Sequence, residues 1–187
     1  MENINAKGEN PFWDFSLDLY RAKDVEAHSL SLQDEYGLDV NLVFLLIWAG
    51  FQGAKLTDDS VTILVQHAKA WSETSILPLR QLRQKLKCDI GAVATGQSAQ
   101  FRQKIKDLEL EAERIQQDML YELIMGVSAV NAKDGERKSV ARRNLLTYIR
   151  QNDIDIDEQI KTLLESILGQ SETVILKKTA ANSTSAK

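Results

Sequence analysis

The sequence predicts an all-α fold, a single-domain bundle of six to eight helices around one central apolar helix. Three observations carry that expectation. From Val40 to Phe51 every residue except Asn41 is apolar or glycine, so a helix there has no face to show to water and must be buried all round. Only two prolines occur in 187 residues, and regular alternating β-branched runs, the mark of half-buried strands, are scarce. Apolar residues recur instead at spacings of three and four along most of the chain. The central segment is about a dozen residues long, short of the roughly 20 that cross a bilayer, and acidic and amide residues flank it. It reads as a core helix with no membrane insertion.

The elements follow in order. Residues 1–9 carry no periodic pattern and are expected to be a frayed start. Asn10 is a good N-cap and Pro11 suits the first helical position, so 11–20 predicts a helix with Phe12, Phe15 and Leu19 on one stripe and Trp13 beside it. Asp24 is placed to cap a second helix carrying Val25, Leu32 and Tyr36, which Gly37 ends as a left-handed C-cap. Asp39 caps the central helix, Asn41 sits in its first turn, and Gly50 and Gly53 bracket its end. A further helix begins at Thr57, with Asp58 and Asp59 favourable for its dipole and Val61, Leu64, Val65, Ala68 and Trp71 or Ser72 as its stripe. Pro78 predicts a restart near Leu77, from which Leu79, Leu82 and Leu86 form a buried face.

Residues 88–98 are small and polar enough for a loop. The clearest helix runs from about Ser98 to Met125, with Phe101, Ile105, Leu108, Ala112, Ile115 and Met119 as its seam, free to face its own fold or another copy of the chain. Asp134 and Gly135 lie in a loop. Arg137 to Arg150 is a basic amphipathic helix with Val140, Leu145, Leu146 and Ile149. A last helix carries Ile160, Leu163, Leu164 and Ile167 and is expected to stop at Gly169. The domain is thus predicted to span 10–169, with 170–187 a disordered tail.

Charge is mild overall, −4, but uneven. Residues 1–60 hold eleven acids and four bases, a net of −7, leaving +3 for the rest. A single cysteine, Cys88, forms no intramolecular disulfide, and the chain opens without a basic-then-apolar leader, so the expectation is a cytoplasmic protein.

The sequence specifies no reaction. The two histidines, His28 and His67, have no glutamate three residues before them, and with one cysteine neither a di-iron nor a zinc site is indicated; no metal and no cofactor are expected. No GxSxG turn and no phosphate-cradling loop is present. Glu109 and Glu113 share a helix face, read as solvated surface charge. Residues 80–106 contain seven bases and one acid, and 137–150 five bases and no acid. Arg80, Arg83, Lys87, Arg142 and Arg143 are therefore candidates for an interaction surface. The overall charge is negative and aromatics do not interleave with the bases, which weakens a nucleic-acid reading. The polar minority of the apolar N-terminal half, Trp13, Asp14, Gln33, Asp39, Asn41 and Trp48, with Trp71, offers a candidate ligand pocket. The same residues also fit a network of caps with tryptophan as core filling.

Asn10-Pro11-Phe12-Trp13 with Phe15, Ser16, Leu17 and Tyr20, then Leu32-Gln33-Asp34 and Gly37 with Asp39-Val40-Asn41-Leu42, resemble an uncharacterised family of small, mostly proteobacterial proteins. Trp48, Gly53, Ala70-Trp71, Pro78-Leu79-Arg80, Arg83, Leu86-Lys87 and Glu109-Leu110-Glu111-Ala112-Glu113 fit it too. The resemblance covers roughly residues 10–125, leaving 126–169 as a variable helical extension. Ser29 departs from it, standing where relatives are expected to carry cysteine. The resemblance implies a bacterial cytoplasmic protein and supplies no activity. The expectation is a non-enzymatic binding or regulatory protein acting on another protein. The alternatives are a small-molecule protein or enzyme with its pocket near Asn41, or nucleic-acid association.

Overall fold

A computed structural model describes residues 10–87, 95–133 and 135–185. It is an all-α bundle, as the sequence predicts. Helices α1 (Pro11–Tyr20), α2 (Val25–Tyr36) and α3 (Val40–Phe51) are followed by α4 (Asp58–Trp71) and α5 (Leu77–Lys85), then α6 (Thr95–Gly126), α7 (Arg137–Gln151) and α8 (Glu158–Ser185). Helix α3 is the centre. Leu42 to Phe51 are all buried, and α1, α2, α4, α6, α7 and α8 all pack on it. Burying ten consecutive residues of one helix leaves it no solvated side, which is what its composition demanded.

Local chemistry sets the ends. Asn10 accepts the backbone N–H groups of Phe12 and Trp13, Thr57 that of Ser60, and Asp39 that of Leu42. Gly37, at φ +67°, closes α2 in the left-handed conformation, where glycine carries no Cβ penalty. Asp24 stands at the head of α2 but makes no cap bond, because its own backbone is left-handed there (φ 63°). Gly50 has a different task. A Cβ on it would lie 2.2 Å from the Cα of Ala141, so its missing side chain is what lets α3 and α7 touch backbone to backbone.

Several expectations need correction. Helix α5 begins at Leu77, as expected, but with no break before Pro78: Ser72–Ile76 forms a π-helical turn that carries α4 directly into α5. The wider turn absorbs the clash that the proline ring would make with the preceding turn. The leucine face of α5 is not buried. Leu82 is 39% exposed and no residue of α5 is fully covered, because the helix docks on α6 through arginines. Two short strands, β1 (Ala54–Leu56) and β2 (Ala129–Asn131), pair antiparallel where loops meet, and the buried Asn144 of α7 supports them. Its side chain accepts from the Leu56 amide at 3.1 Å and donates to the carbonyls of Ala54 and Leu46.

The last helix begins after Asp157, which caps Ile160, and does not stop at Gly169. It runs on to Ser185, with Ser171 and Val174 buried beyond the glycine. Lys178 reaches Asp18 of α1 at 2.9 Å. Tertiary contact with α1 and α2 outweighs the roughly 1 kcal/mol that an interior glycine costs a helix. The expected tail at 170–187 is therefore helical as far as 185. Residues 1–9, Cys88 and most of the expected loop at 88–98 lie outside the described residues. Among those described, no helix is long and apolar enough to cross a membrane.

Candidate functional site

The polar edge of α3 faces α6. Asn41 donates from Nδ2 to Gln116 Oε1 at 2.6 Å, and its Oδ1 accepts from Gln117 Nε2 at 2.7 Å. Gln116 Nε2 donates twice, to Asp39 Oδ2 at 2.8 Å and to the Ala68 carbonyl at 3.0 Å. Asp39 Oδ1 caps the helix, and its backbone N–H donates to the Tyr148 hydroxyl at 3.0 Å. One cluster of side chains thus ties α3, α4, α6 and α7 together. Burial pushes the Asp39 carboxyl above the ordinary carboxylate range, against the opposing pull of the Leu42 and Gln116 donors and the Arg80 charge. Burial also raises the Tyr148 hydroxyl. Gln117 keeps one loose end: its Oε1 is buried without a hydrogen-bond partner.

A second cluster adjoins the first. Arg80 donates to Glu109 at 2.8 Å and to Glu113 at 2.7 Å, and Arg83 grips both oxygens of Glu109. Glu109 is only 5% exposed, so it is no solvated surface charge. Burial opposes its ionisation, but hydrogen bonds and charge from Arg83 and Arg80 prevail and hold its carboxyl below the usual range. Glu113 goes the other way, raised chiefly by burial with the charges of Glu109 and Asp39 adding to it.

The buried stripe of α6 is consequently Ile105, Glu109, Ala112, Gln116 and Leu120, with Gln117 and Ile124, displaced from the apolar seam that spacing predicts. Phe101, Leu108 and Ile115 are left about half exposed, at 50%, 48% and 46%. The reason is energetic: an ion-paired glutamate and a fully bonded glutamine can be buried at little cost, and the partners that make this possible sit on α3, α4 and α5. The polar residues at 109, 116 and 117 keep helical spacing with Ala112 and Leu120, and that was the signal available in the sequence.

The remaining candidates scatter. Trp48 is buried, its ring centroid 5.9 Å from Phe12 and 5.7 Å from Tyr121. Trp71 donates its indole N–H to the Ala112 carbonyl at 2.9 Å. Trp13 lies half-buried under the Arg114 guanidinium, 5.5 Å away. Asp14 is exposed, and the Gln33 amide is held by its neighbour Asp34. Of the seven pocket candidates, then, the amide network joins only Asp39 and Asn41. Among the surface candidates Arg80 and Arg83 are held in internal ion pairs, Arg142 pairs with Glu165 at 2.6 Å, and Arg143 and Lys87 are exposed. No three His, Cys, Asp or Glu side chains among the described residues converge as metal ligands.

Helix α6 presents a second surface. Phe101, Leu108 and Ile115 repeat every seven residues, which puts them in one line on its outer side, with Lys104 and Glu111 exposed between them. The charges segregate. Beside this line the basic Lys104 comes first and the acidic Glu111 and Glu122 follow, while Arg102 and Lys106 lie on another side of the helix.

Residues 11–120 match the model of a family described as a protein of unknown function (DUF2390). No curated protein and no solved structure matches the chain. The match takes in α1 to α5 and most of α6, and with them both polar clusters apart from Tyr148 of α7; the chain belongs to this family.

Proposed function

We propose that this family member is a non-enzymatic binding protein of the bacterial cytoplasm that works through protein–protein contacts, and that the outer face of α6 makes them. The observation that supports the reading is the line of Phe101, Leu108 and Ile115, large apolar side chains kept half in water on a helix that turns Glu109, Gln116 and Gln117 inward. Isolated exposed apolar residues are ordinary, but a line of them at heptad spacing with charges between is the form of a helix-docking surface. Its charge order argues for one occupant, an antiparallel helix with the same segregation, and a second copy of this chain supplies that pattern. Antiparallel pairing brings Lys104 of each α6 toward Glu111 of the other, whereas parallel pairing stacks like on like.

Support for Asp39 and Asn41 as scaffold comes from their bonds to Gln116 and Gln117. Sedimentation velocity of the full chain tests the proposal. Lys104→Glu and Glu111→Lys are each expected to weaken association, and the two together to restore it. Changing Phe101, Leu108 and Ile115 to serine is expected to abolish it while leaving the fold intact. Wild-type protein that stays monomeric at every concentration removes the second copy as the occupant. If the serine variant also captures the same proteins from lysate as the wild type, the reading itself fails.

A further inference from the structure

The arginines and lysines of the α5–α6 hairpin are not all consumed by carboxylates. Beyond the Arg83–Glu109 pair, a cleft of about 200 Å³ opens between the helices, lined by Arg83, Lys87, Arg102, Gln103 and Lys106. Four of these five side chains are cationic and none is acidic. Among the described residues, no ion pair engages Lys87, Arg102 or Lys106. Arg83 is fixed by Glu109 through Nε and Nη2, so its guanidinium plane is set while the N–H groups of Nη1 stay unused. Gln103 spends one amide hydrogen on Asp107 and keeps the other. Cations gathered this closely repel one another and focus a positive potential in the cleft, so the free protein carries an electrostatic cost that a bound anion removes.

We infer that this cleft binds the phosphate or diphosphate group of a small phosphorylated ligand. Guanidinium forks and lysine point charges together match the oxygens of a phosphoryl group better than they match a single carboxylate. Size limits what enters. Pockets that enclose a whole drug-sized ligand run to roughly 300–1,000 Å³, so this cleft holds the anionic group while the rest of the ligand stays at its rim. The cleft lies on a different side of α6 from the Phe101–Leu108–Ile115 ridge, and the inference stands independently of that surface.

Calorimetric titration of the full chain with inorganic phosphate, inorganic pyrophosphate and adenosine diphosphate, at physiological salt, tests it. Saturable one-to-one binding of pyrophosphate or the nucleotide is expected. The double variant Arg102→Glu, Lys106→Glu is expected to weaken it by about tenfold or more, since two attractions become repulsions. The double variant Arg142→Glu, Arg143→Glu has the same charge change elsewhere and is expected to leave binding as it is. Circular dichroism checks that both variants fold. Tighter binding of the nucleotide than of pyrophosphate identifies an organic phosphate as ligand, and equal binding identifies the free anion. Absence of saturable binding overturns the inference, as does equal loss in both double variants. Binding confined to a single-stranded oligonucleotide, with steep salt dependence, also overturns it in favour of a nucleic-acid surface.

Discussion

Replacing Gly50 with alanine probes the closest approach in the core. The added Cβ would stand 2.2 Å from the Ala141 Cα, 2.4 Å from its backbone N and 2.6 Å from its Cβ, where ordinary contact begins at 3.4 Å. Two of the three obstacles are main chain, so no rotamer change relieves them, and α3 and α7 must part by about 1.2 Å. Overpacking a core costs about 1–3 kcal/mol, and a clash with backbone belongs at or beyond the upper end. The better helix propensity of alanine returns about 1 kcal/mol. A net loss of about 2 kcal/mol or more is therefore expected, read as a lower urea midpoint in tryptophan fluorescence. Ala141→Gly removes only the Cβ contact and is not expected to rescue it. Gly126→Ala is the control, since nothing lies within 4 Å of its added carbon. A Gly50→Ala protein as stable as wild type would refute the backbone contact between α3 and α7.

Further outcomes follow from the same geometry. Gly169→Ala is expected to raise stability by about 1 kcal/mol, because the residue sits inside α8 with open space around it; a loss on thermal melting would return the helix end to Gly169. Asn41→Leu strips partners from Gln116 and Gln117 and is expected to cost about 2–3 kcal/mol in denaturant unfolding. A protein of unchanged stability would mean that the network is not structural. Glu109→Gln leaves Arg83 without a carboxylate and Arg80 with Glu113 alone, and is expected to cost about 3 kcal/mol at neutral pH. Because the folded Glu109 carboxyl lies below its ordinary 4.5, that stabilisation is present above the unfolded value and lost as pH falls through the folded one, so the two proteins should converge in acid. Asp39 has the opposite sign. Its folded value lies above the ordinary 3.8, so its favourable contribution is present below that point and lost as pH rises through the folded value. Asp39→Asn is expected to flatten that part of the stability profile, and an unchanged slope would place the titration elsewhere.

Much of the fold was legible because it depends on local chemistry. The apolar run of α3, the caps at Asn10 and Asp39, the helix start at Thr57, the turn at Gly37 and the stripes of α1, α4 and α7 all rest on residues adjacent in sequence or one helical turn apart. The polar clusters were half legible. Asp39 and Asn41 stood out as polar exceptions at the edge of an apolar helix, and Arg80, Arg83, Glu109 and Glu113 stood out as charges. What spacing could not supply was their pairing. Gln116 is 75 residues from Asn41, and Arg83 is 26 from Glu109, so neither partner is implied by the other.

The sequence by itself determined that the protein is helical, where most helices begin, and that α3 is the element the others enclose, because burial of an all-apolar helix is forced by its composition. Only the tertiary structure decided which face of α6 turns inward, whether α8 continues past Gly169, and which charges are spent inside the fold. Those outcomes depend on desolvation. Glu109 and Gln116 are buried at little cost because distant partners complete their hydrogen bonds, and the apolar ridge of α6 stays exposed because the polar face next to it found them.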